Sequence, residues 1–255
     1  MYHYFIVDVD NTERMANVQR EAEKIQLTPY IFPAIMAKTM SKEELQKVTI
    51  PNTYLLPGEI GCALSHLAIY REFLATDKQS VLIFEDDVTF TPACSIKALQ
   101  TCCEFVESLD RPSVLLLNPV DRYYKKVRQI DSISIYSSFQ GWCTYAYILN
   151  REAARNILQY QTPIQDVIDH FRHYYYLGIC DLYFTDPSLV ICSTECESTI
   201  DTAEGNRYQE GRSQQKRDNF KSTLRKAPIS QKISYVKRRL YKHIFGKYEF
   251  NKRCK

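Results

Sequence analysis

Val81-Leu82-Ile83-Phe84-Glu85-Asp86-Asp87 sets four apolar residues directly against three carboxylates. So short a run, apolar throughout and cut off by charge, predicts a strand buried on both faces whose carboxyl end emerges at a sheet edge. Working outward, Ile60, Ala63, Leu64, Leu67 and Leu74 recur at helical spacing over residues 58–76, and 96–109 reads as the next helix. Further strands are expected at 2–9, 30–36, 113–117, 142–149, 182–184 and 189–192. Further helices are expected at 12–25, where Met15, Val18, Ala22 and Ile25 share a face, and at 151–160 and 165–176. The stretch up to Pro57 reads as a polar, proline-containing loop, and the tyrosine-rich 121–138 as a loop or hairpin over the site. Strands alternating with helices predict an α/β fold, its central sheet largely parallel and flanked by helices on both faces.

The 255 residues, 45% apolar and 25% charged, suit one large α/β domain with an appendage. No segment approaches the roughly 20 apolar residues that span a bilayer. The N-terminus runs straight into a strand with neither a basic stretch nor a small-residue cleavage site, so no signal peptide is expected. Nine cysteines are an odd number, several of them (Cys62, Cys102, Cys103, Cys143, Cys180) in apolar periodic stretches. Only Cys192 and Cys196 approach a metal-binding spacing, so reduced cysteines in a cytoplasmic protein are expected. The net charge of +3 hides an asymmetry, because residues 206–255 carry 16 Lys+Arg against 3 Asp+Glu. The chain therefore divides into an acidic body, 1–205, and a basic tail, 206–255. Within the tail, Ile229, Ile233, Val236, Leu240 and Ile244 form an apolar helical stripe among Lys232, Lys237, Arg238, Arg239 and Lys242. Such a helix docks on its own domain or lies on an anionic membrane surface. No nucleic-acid partner is expected.

Three carboxylates at the end of a buried strand stand where open α/β sheets bind ligands. Alternation along the strand turns Glu85 and Asp87 one way and Asp86 the other. Their mutual repulsion calls for a divalent cation, and hard oxygen donors suit Mg²⁺ or Mn²⁺ holding a diphosphate. A second acidic strand end, Phe5-Ile6-Val7-Asp8-Val9-Asp10-Asn11-Thr12, resembles the haloacid-dehalogenase phosphatase signature. That resemblance would make Asp8 the nucleophile and Asp10 the acid and base of a Mg²⁺-dependent phosphatase. Against it, Glu13-Arg14-Met15 follows Thr12 where that family carries an apolar pair. A third class is a sugar-binding or membrane-docking module without catalysis.

About twenty residues before the acids lies Pro57-Gly58-Glu59-Ile60-Gly61-Cys62-Ala63-Leu64-Ser65-His66. Gly58 and Gly61 at a helix start permit close approach of an anion to free N–H groups. Ser65 and His66 would donate to phosphate or sugar, and Glu59 would accept from a ribose or base or cap its helix. This block, followed by a strand ending in Glu-Asp-Asp, closely resembles glycosyltransferase family 25, the lipopolysaccharide-biosynthesis galactosyl- and glucosyltransferases, distantly similar to collagen galactosyltransferases. Further agreement comes from Ala146-Tyr147-Ile148-Leu149-Asn150 with Ala153-Ala154, and from Thr162-Pro163-Ile164 with Val167-Ile168-Asp169-His170. Glu197-Ser198-Thr199-Ile200 matches the family's closing Ser-x-Ile, and Asp10-Asn11-x-x-Arg14 stands at its Asn…Arg start, although the Asp8-x-Asp10 pair is atypical.

The resemblance implies a GT-A-like, Rossmann-type nucleotide-sugar-binding domain. It implies transfer of a hexose from UDP-galactose or UDP-glucose, with inversion, onto a lipid-linked oligosaccharide of lipopolysaccharide or lipooligosaccharide. Asp87, helped by Glu85, is assigned to Mn²⁺ or Mg²⁺, with His170 or His173 completing the shell. Asp86 is assigned to the donor, beside Asp10, Asn11, Arg14, Glu59, Gly61, Ser65 and His66. Asp169 is the expected general base, with Asp166 in reserve.

Overall fold

The computed structural model describes residues 1–193 and 211–248. In chain order the elements are β1 (His3–Val7), α1 (Thr12–Lys24), β2 (Ile31–Pro33), α2 (Lys42–Val48), α3 (Pro57–Leu74), β3 (Ser80–Glu85), β4 (Val88–Phe90), α4 (Ile96–Glu107) and β5 (Ser113–Leu116). Then follow β6 (Arg122–Ile130), β7 (Ile133–Ser138), β8 (Ala146–Asn150), α5 (Arg151–Tyr160), α6 (Phe171–Tyr176), β9 (Asp181–Asp186), β10 (Val190–Cys192), α7 (Arg212–Lys226), α8 (Ile229–Phe245) and β11 (Lys247–Tyr248). A nine-stranded sheet runs β11-β6-β7-β9-β5-β8-β3-β1-β2, and β4 pairs with β10 in a separate ribbon.

Strands β2, β1, β3, β5, β9 and β6 point one way, and β8, β7 and β11 the other. The sheet is thus largely parallel in direction, consistent with a GT-A-like Rossmann domain, with β8 inserted antiparallel between β3 and β5. That reversal matters for the site. It brings the chain entering β8, residues 142–145, to the edge where β3 ends, with Glu85 N–H bonded to Tyr145 O at 2.9 Å.

Alternation along the central strands feeds two separate cores. Tyr4, Ile6, Val81, Ile83, Val114 and Leu116 face α3, α5 and α6. Phe5, Val7, Leu82, Phe84, Leu115 and Leu117 face α1 and α4. Such double coverage is why β3 reads as a continuous apolar run. Gly61 lets α3 approach the segment before it, since a Cβ there would sit 2.4 Å from Ile35 O.

Several expectations need correction. The stretch before Pro57 contains α2, which buries none of its residues and is held by the reciprocal cap between Ser41 and Glu44. Residues 121–138 form the hairpin β6–β7, but it widens the sheet beside β9 and lines neither cavity of the site described below. Of the helix expected at 165–176 only α6 forms, and 165–170 is irregular. Cys143 is exposed instead of sitting in an apolar stretch, and Cys62, Cys94, Cys102, Cys103, Cys143 and Cys180 form no disulfide. The 205/206 division, Cys196 and the Glu197–Ile200 motif lie outside the described residues.

Helices α7 and α8 return to the body. Arg212 of α7 pairs with Glu59 at 2.6 Å, both side chains buried. Arg238 of α8 pairs with Asp181 at 2.8 Å and stacks on Tyr175. The expected stripe on α8 faces solvent, with Ile233 48% and Ile229 75% exposed. No helix among the described residues is long and apolar enough to cross a membrane.

Candidate active site

Glu85 closes β3, and Asp86 and Asp87 turn the chain into β4. Glu85 faces α3: Oε1 accepts from His66 Nε2 at 3.1 Å and from the Thr144 hydroxyl, with Cys62 Sγ at 3.9 Å. Burial pushes this carboxyl up, but the hydrogen bond and charge of His66, then Thr144, overcome it and hold Glu85 below its ordinary value. On the other side of the ring, Nδ1 lies in hydrogen-bond contact with the Tyr147 hydroxyl at 2.7 Å. Tyr70 lies 2.6 Å beyond that hydroxyl. The histidine is wholly buried, and both ring nitrogens are engaged within the protein.

Asp86 turns the opposite way. Its carboxylate pairs with the buried Arg14 guanidinium and accepts from Asp8 N–H at 3.0 Å, while Asn17 Nδ2 donates to Asp86 O and Val88 O at 2.9 and 3.0 Å. Strand alternation therefore works as expected, but Asp86 is committed to clamping β3 onto α1.

Asp87 is the acid left unsatisfied. Its Oδ1 is buried and meets no hydrogen-bond donor, and burial, then the charges of Glu85 and Asp86, push its carboxyl up to about 7. A buried carboxylate oxygen without a donor beside two further acids fits a hard divalent cation. Ligand atoms of Cys62, His66 and Glu85 also lie within 4.8 Å of one another and form a second grouping able to hold a metal. Burial, then the Glu85 charge, drives the Cys62 thiol well above its ordinary value, so it stays protonated and suits a hard cation poorly.

Two cavities meet at these acids. The first is lined by Asp8, Arg14, Lys38, Gly58, Gly61, Ser65, His66 and Asp86. The second, of about 470 Å³, is lined by Glu59, Trp142, Thr144, Asp169, His170 and Lys216. Cys62, Glu85 and Asp87 border both.

The remaining expected residues divide by what holds them. Ser65 Oγ accepts from Ile35 N–H at 2.8 Å and donates to Gly61 O at 2.9 Å, a latch between α3 and the preceding loop. Glu59 accepts from Leu56 N–H at 2.9 Å and pairs with Arg212, so it caps α3. Asn11 caps α1 by accepting from Glu13 and Arg14 N–H, Asp10 is exposed, and neither lines a cavity.

Asp169 is half-buried in the second cavity. Burial outweighs the neighbouring His170 and, with Glu85, raises its carboxyl above the ordinary value. Asp166 is 2% exposed in its side chain and surrounded by donors: Tyr54 Oη, His170 Nδ1 at 2.8 Å, and His173. Burial is overcome by the charge and hydrogen bonds of the two histidines, and its carboxyl falls far below the ordinary range. His170 and His173 thus group with Asp166, not with Glu85 and Asp87.

Thr144, Asn17, Lys216 and Arg212 escape sequence reading. Each reaches the site across a long sequence separation, with no local motif to mark it.

Comparison with known proteins agrees with this geometry. A family model described as glycosyltransferase family 25 (LPS biosynthesis protein) matches residues 1–172. A glycosyltransferase 25 family member of Drosophila pseudoobscura pseudoobscura is 23% identical over 65% of this chain and 28% of its own length. A "Putative glycosyltransferase" of Haemophilus influenzae is 24% identical over 96% of this chain and 87% of its own. Procollagen galactosyltransferase 1 of Danio rerio is 27% identical over 59% and 26% respectively. The chain thus spans about a quarter of the length of the animal relatives quoted. These matches displace the phosphatase reading of Asp8 and Asp10. With two thirds of its length under the family model, and with both the Gly58–His66 block and the Glu-Asp-Asp strand end at the site, the chain belongs to glycosyltransferase family 25.

Proposed function

We propose that the enzyme transfers a hexose from UDP-galactose or UDP-glucose to a saccharide hydroxyl of a lipid-linked oligosaccharide, inverting the anomeric carbon. The observation that carries this reading is the pair of cavities joined at Glu85 and Asp87, one for each substrate. The first cavity takes the nucleotide, with Lys38 supplying positive charge. The second takes the transferred sugar and the acceptor against Trp142, an aromatic face suited to a sugar ring. Asp87, with Glu85 beside it, would hold Mn²⁺ or Mg²⁺, which when bound neutralises charge developing on the departing diphosphate. Asp169 removes the proton from the attacking hydroxyl. Its raised carboxyl is a stronger base than an ordinary aspartate, and it lies in the acceptor cavity. Asp166 is better suited to holding His170 and His173 in place than to proton transfer.

Release of UDP from a panel of UDP-sugars, with Mn²⁺ and without acceptor, tests the reading. Slow UDP release from one or two of them is expected; none from any, with or without a saccharide acceptor, would sink it.

The acceptor's lipid anchor suggests where the enzyme works. The exposed Ile229, Ile233, Val236, Leu240 and Ile244, flanked by Lys232 and Lys237, support docking of α8 on the anionic inner face of the cytoplasmic membrane. Ile233→Glu with Leu240→Glu should abolish flotation with phosphatidylglycerol vesicles and leave the melting temperature unchanged. Unchanged flotation would refute the docking.

A further inference from the structure

A third cavity, of about 500 Å³, opens beside the second where α6, α7 and α8 come together. Arg172 enters it from α6, Lys216, Arg217 and Lys221 from α7, and Arg239 and Lys242 from α8. Tyr176, Phe220 and Tyr235 supply aromatic surface between them. Among the described residues, no carboxylate lines it. Asp166 lies behind, spent on His170 and His173, and Asp218 accepts from Gln214 Nε2 at 2.7 Å and meets Lys221 at 3.4 Å. Six cationic side chains held in one concavity repel one another, and low-dielectric walls focus their field into the enclosed space. The arrangement favours an anion over a neutral sugar.

His170 and Lys216 belong to both this cavity and the acceptor cavity. The two spaces are neighbours, so one molecule can occupy both. The nucleotide cavity shares no lining residue with the basic one.

We propose that this cavity is an anion subsite of the acceptor: it receives a phosphate or carboxylate carried by the saccharide whose attacked hydroxyl lies beside Asp169. The inference rests on the transferase reading and gives its acceptor a chemical class, an anionic saccharide. Arginine and lysine donors match the oxygens of such groups, and the tyrosines take the apolar faces of the adjoining ring. The subsite is built largely from α7 and α8, beyond the residues that define the family. Substrate choice can therefore be tuned there without disturbing the catalytic strand ends.

Calorimetric titration of the full chain with glucose 6-phosphate, glucose and inorganic phosphate tests the proposal. Glucose 6-phosphate should bind at least about tenfold tighter than glucose, inorganic phosphate should compete, and saturating UDP with Mn²⁺ should not. Arg172→Gln combined with Arg217→Gln should remove about tenfold of that affinity. Its melting temperature, UDP release from the donor and flotation with phosphatidylglycerol vesicles should stay as in the parent. Equal binding of glucose and its phosphate, or full affinity in the double variant, overturns the subsite. Displacement by UDP would place the anion in the donor cavity, and displacement by the vesicles would assign the cations to lipid headgroups; either also overturns it. Discrimination between glucose and its phosphate in a protein that releases no UDP would refute the transferase reading and leave the anion site standing.

Discussion

The end of β3 and the loop before α6 both bury acid, and they handle it in opposite ways. Around Asp166 every carboxylate oxygen finds a donor, from Tyr54, His170, His173 or its own loop. Around Asp87 one oxygen finds none, and two more acids stand beside it. The first arrangement stabilises the fold as built. The second remains costly until something positive arrives, and an enzyme can keep that cost because binding its substrate complex relieves it. Density of carboxylates alone therefore does not single out a candidate site; the unmet charge at Asp87 does.

Substitutions should separate the two regions. Asp87→Ala is expected to abolish sugar transfer and Mn²⁺-dependent UDP binding while raising the denaturation midpoint at pH 8, because it removes an ionised buried acid. Full transfer in this variant, or in wild type with excess EDTA, breaks the comparison at its functional end. Asp169→Asn should reduce turnover about 10²–10⁴-fold with little change in donor KM. Asp166→Asn should instead cost about 3–5 kcal/mol of stability, read from urea unfolding, as expected for one partner lost from a buried ionic group. A variant at 166 that folds normally and fails to turn over would exchange the two assignments.

Acidity sharpens the contrast further. The depressed carboxyl of Asp166 contributes stability above the ordinary aspartate value, about 3.9, that is lost as pH falls through its folded value. Burial lowers the His170 value, but Asp166 overcomes it and raises the imidazole overall. Its contribution is therefore full below the ordinary histidine value, about 6.5, and is lost as pH rises through the folded one. Denaturation midpoints should peak between these values, and Asp166→Asn should flatten both limbs. The smallest expected effect is on metal response. Since Asp87 takes up its proton near pH 7, Mn²⁺ should raise the melting temperature more at pH 8 than at pH 6. An equal rise at both would place the ion elsewhere.

How much of this was legible depended on whether the cause was local. The Val81–Phe84 run declared β3, and α5 follows Asn150 at the expected residue because that side chain caps it by accepting from Ala153 N–H. Helix α2 carries no apolar stripe to betray it, yet Ser41-x-x-Glu44 was a visible capping signature. Strand β4 is three residues long, with no period to detect. The reversal of β8 was not legible, because a buried strand carries the same residues in either direction. In the site, the acids and the Gly58–His66 block stood out. Ser65 is held as a latch and Glu59 as a cap, the second of the two roles its position offered, by partners, Ile35 and Arg212, that lie 30 and 153 residues away and leave no local trace.

The Glu59–Arg212 pair has a consequence for where this protein can be cut. The match to the family model stops forty residues before Arg212. A chain ended at that border would strand Glu59 at the head of α3, sealed from water and without its counter-charge. The stretch matched by the family model and the cooperative folding unit therefore have different edges, and a chain shortened to the former should be recovered as aggregate or as a loosened, protease-sensitive species.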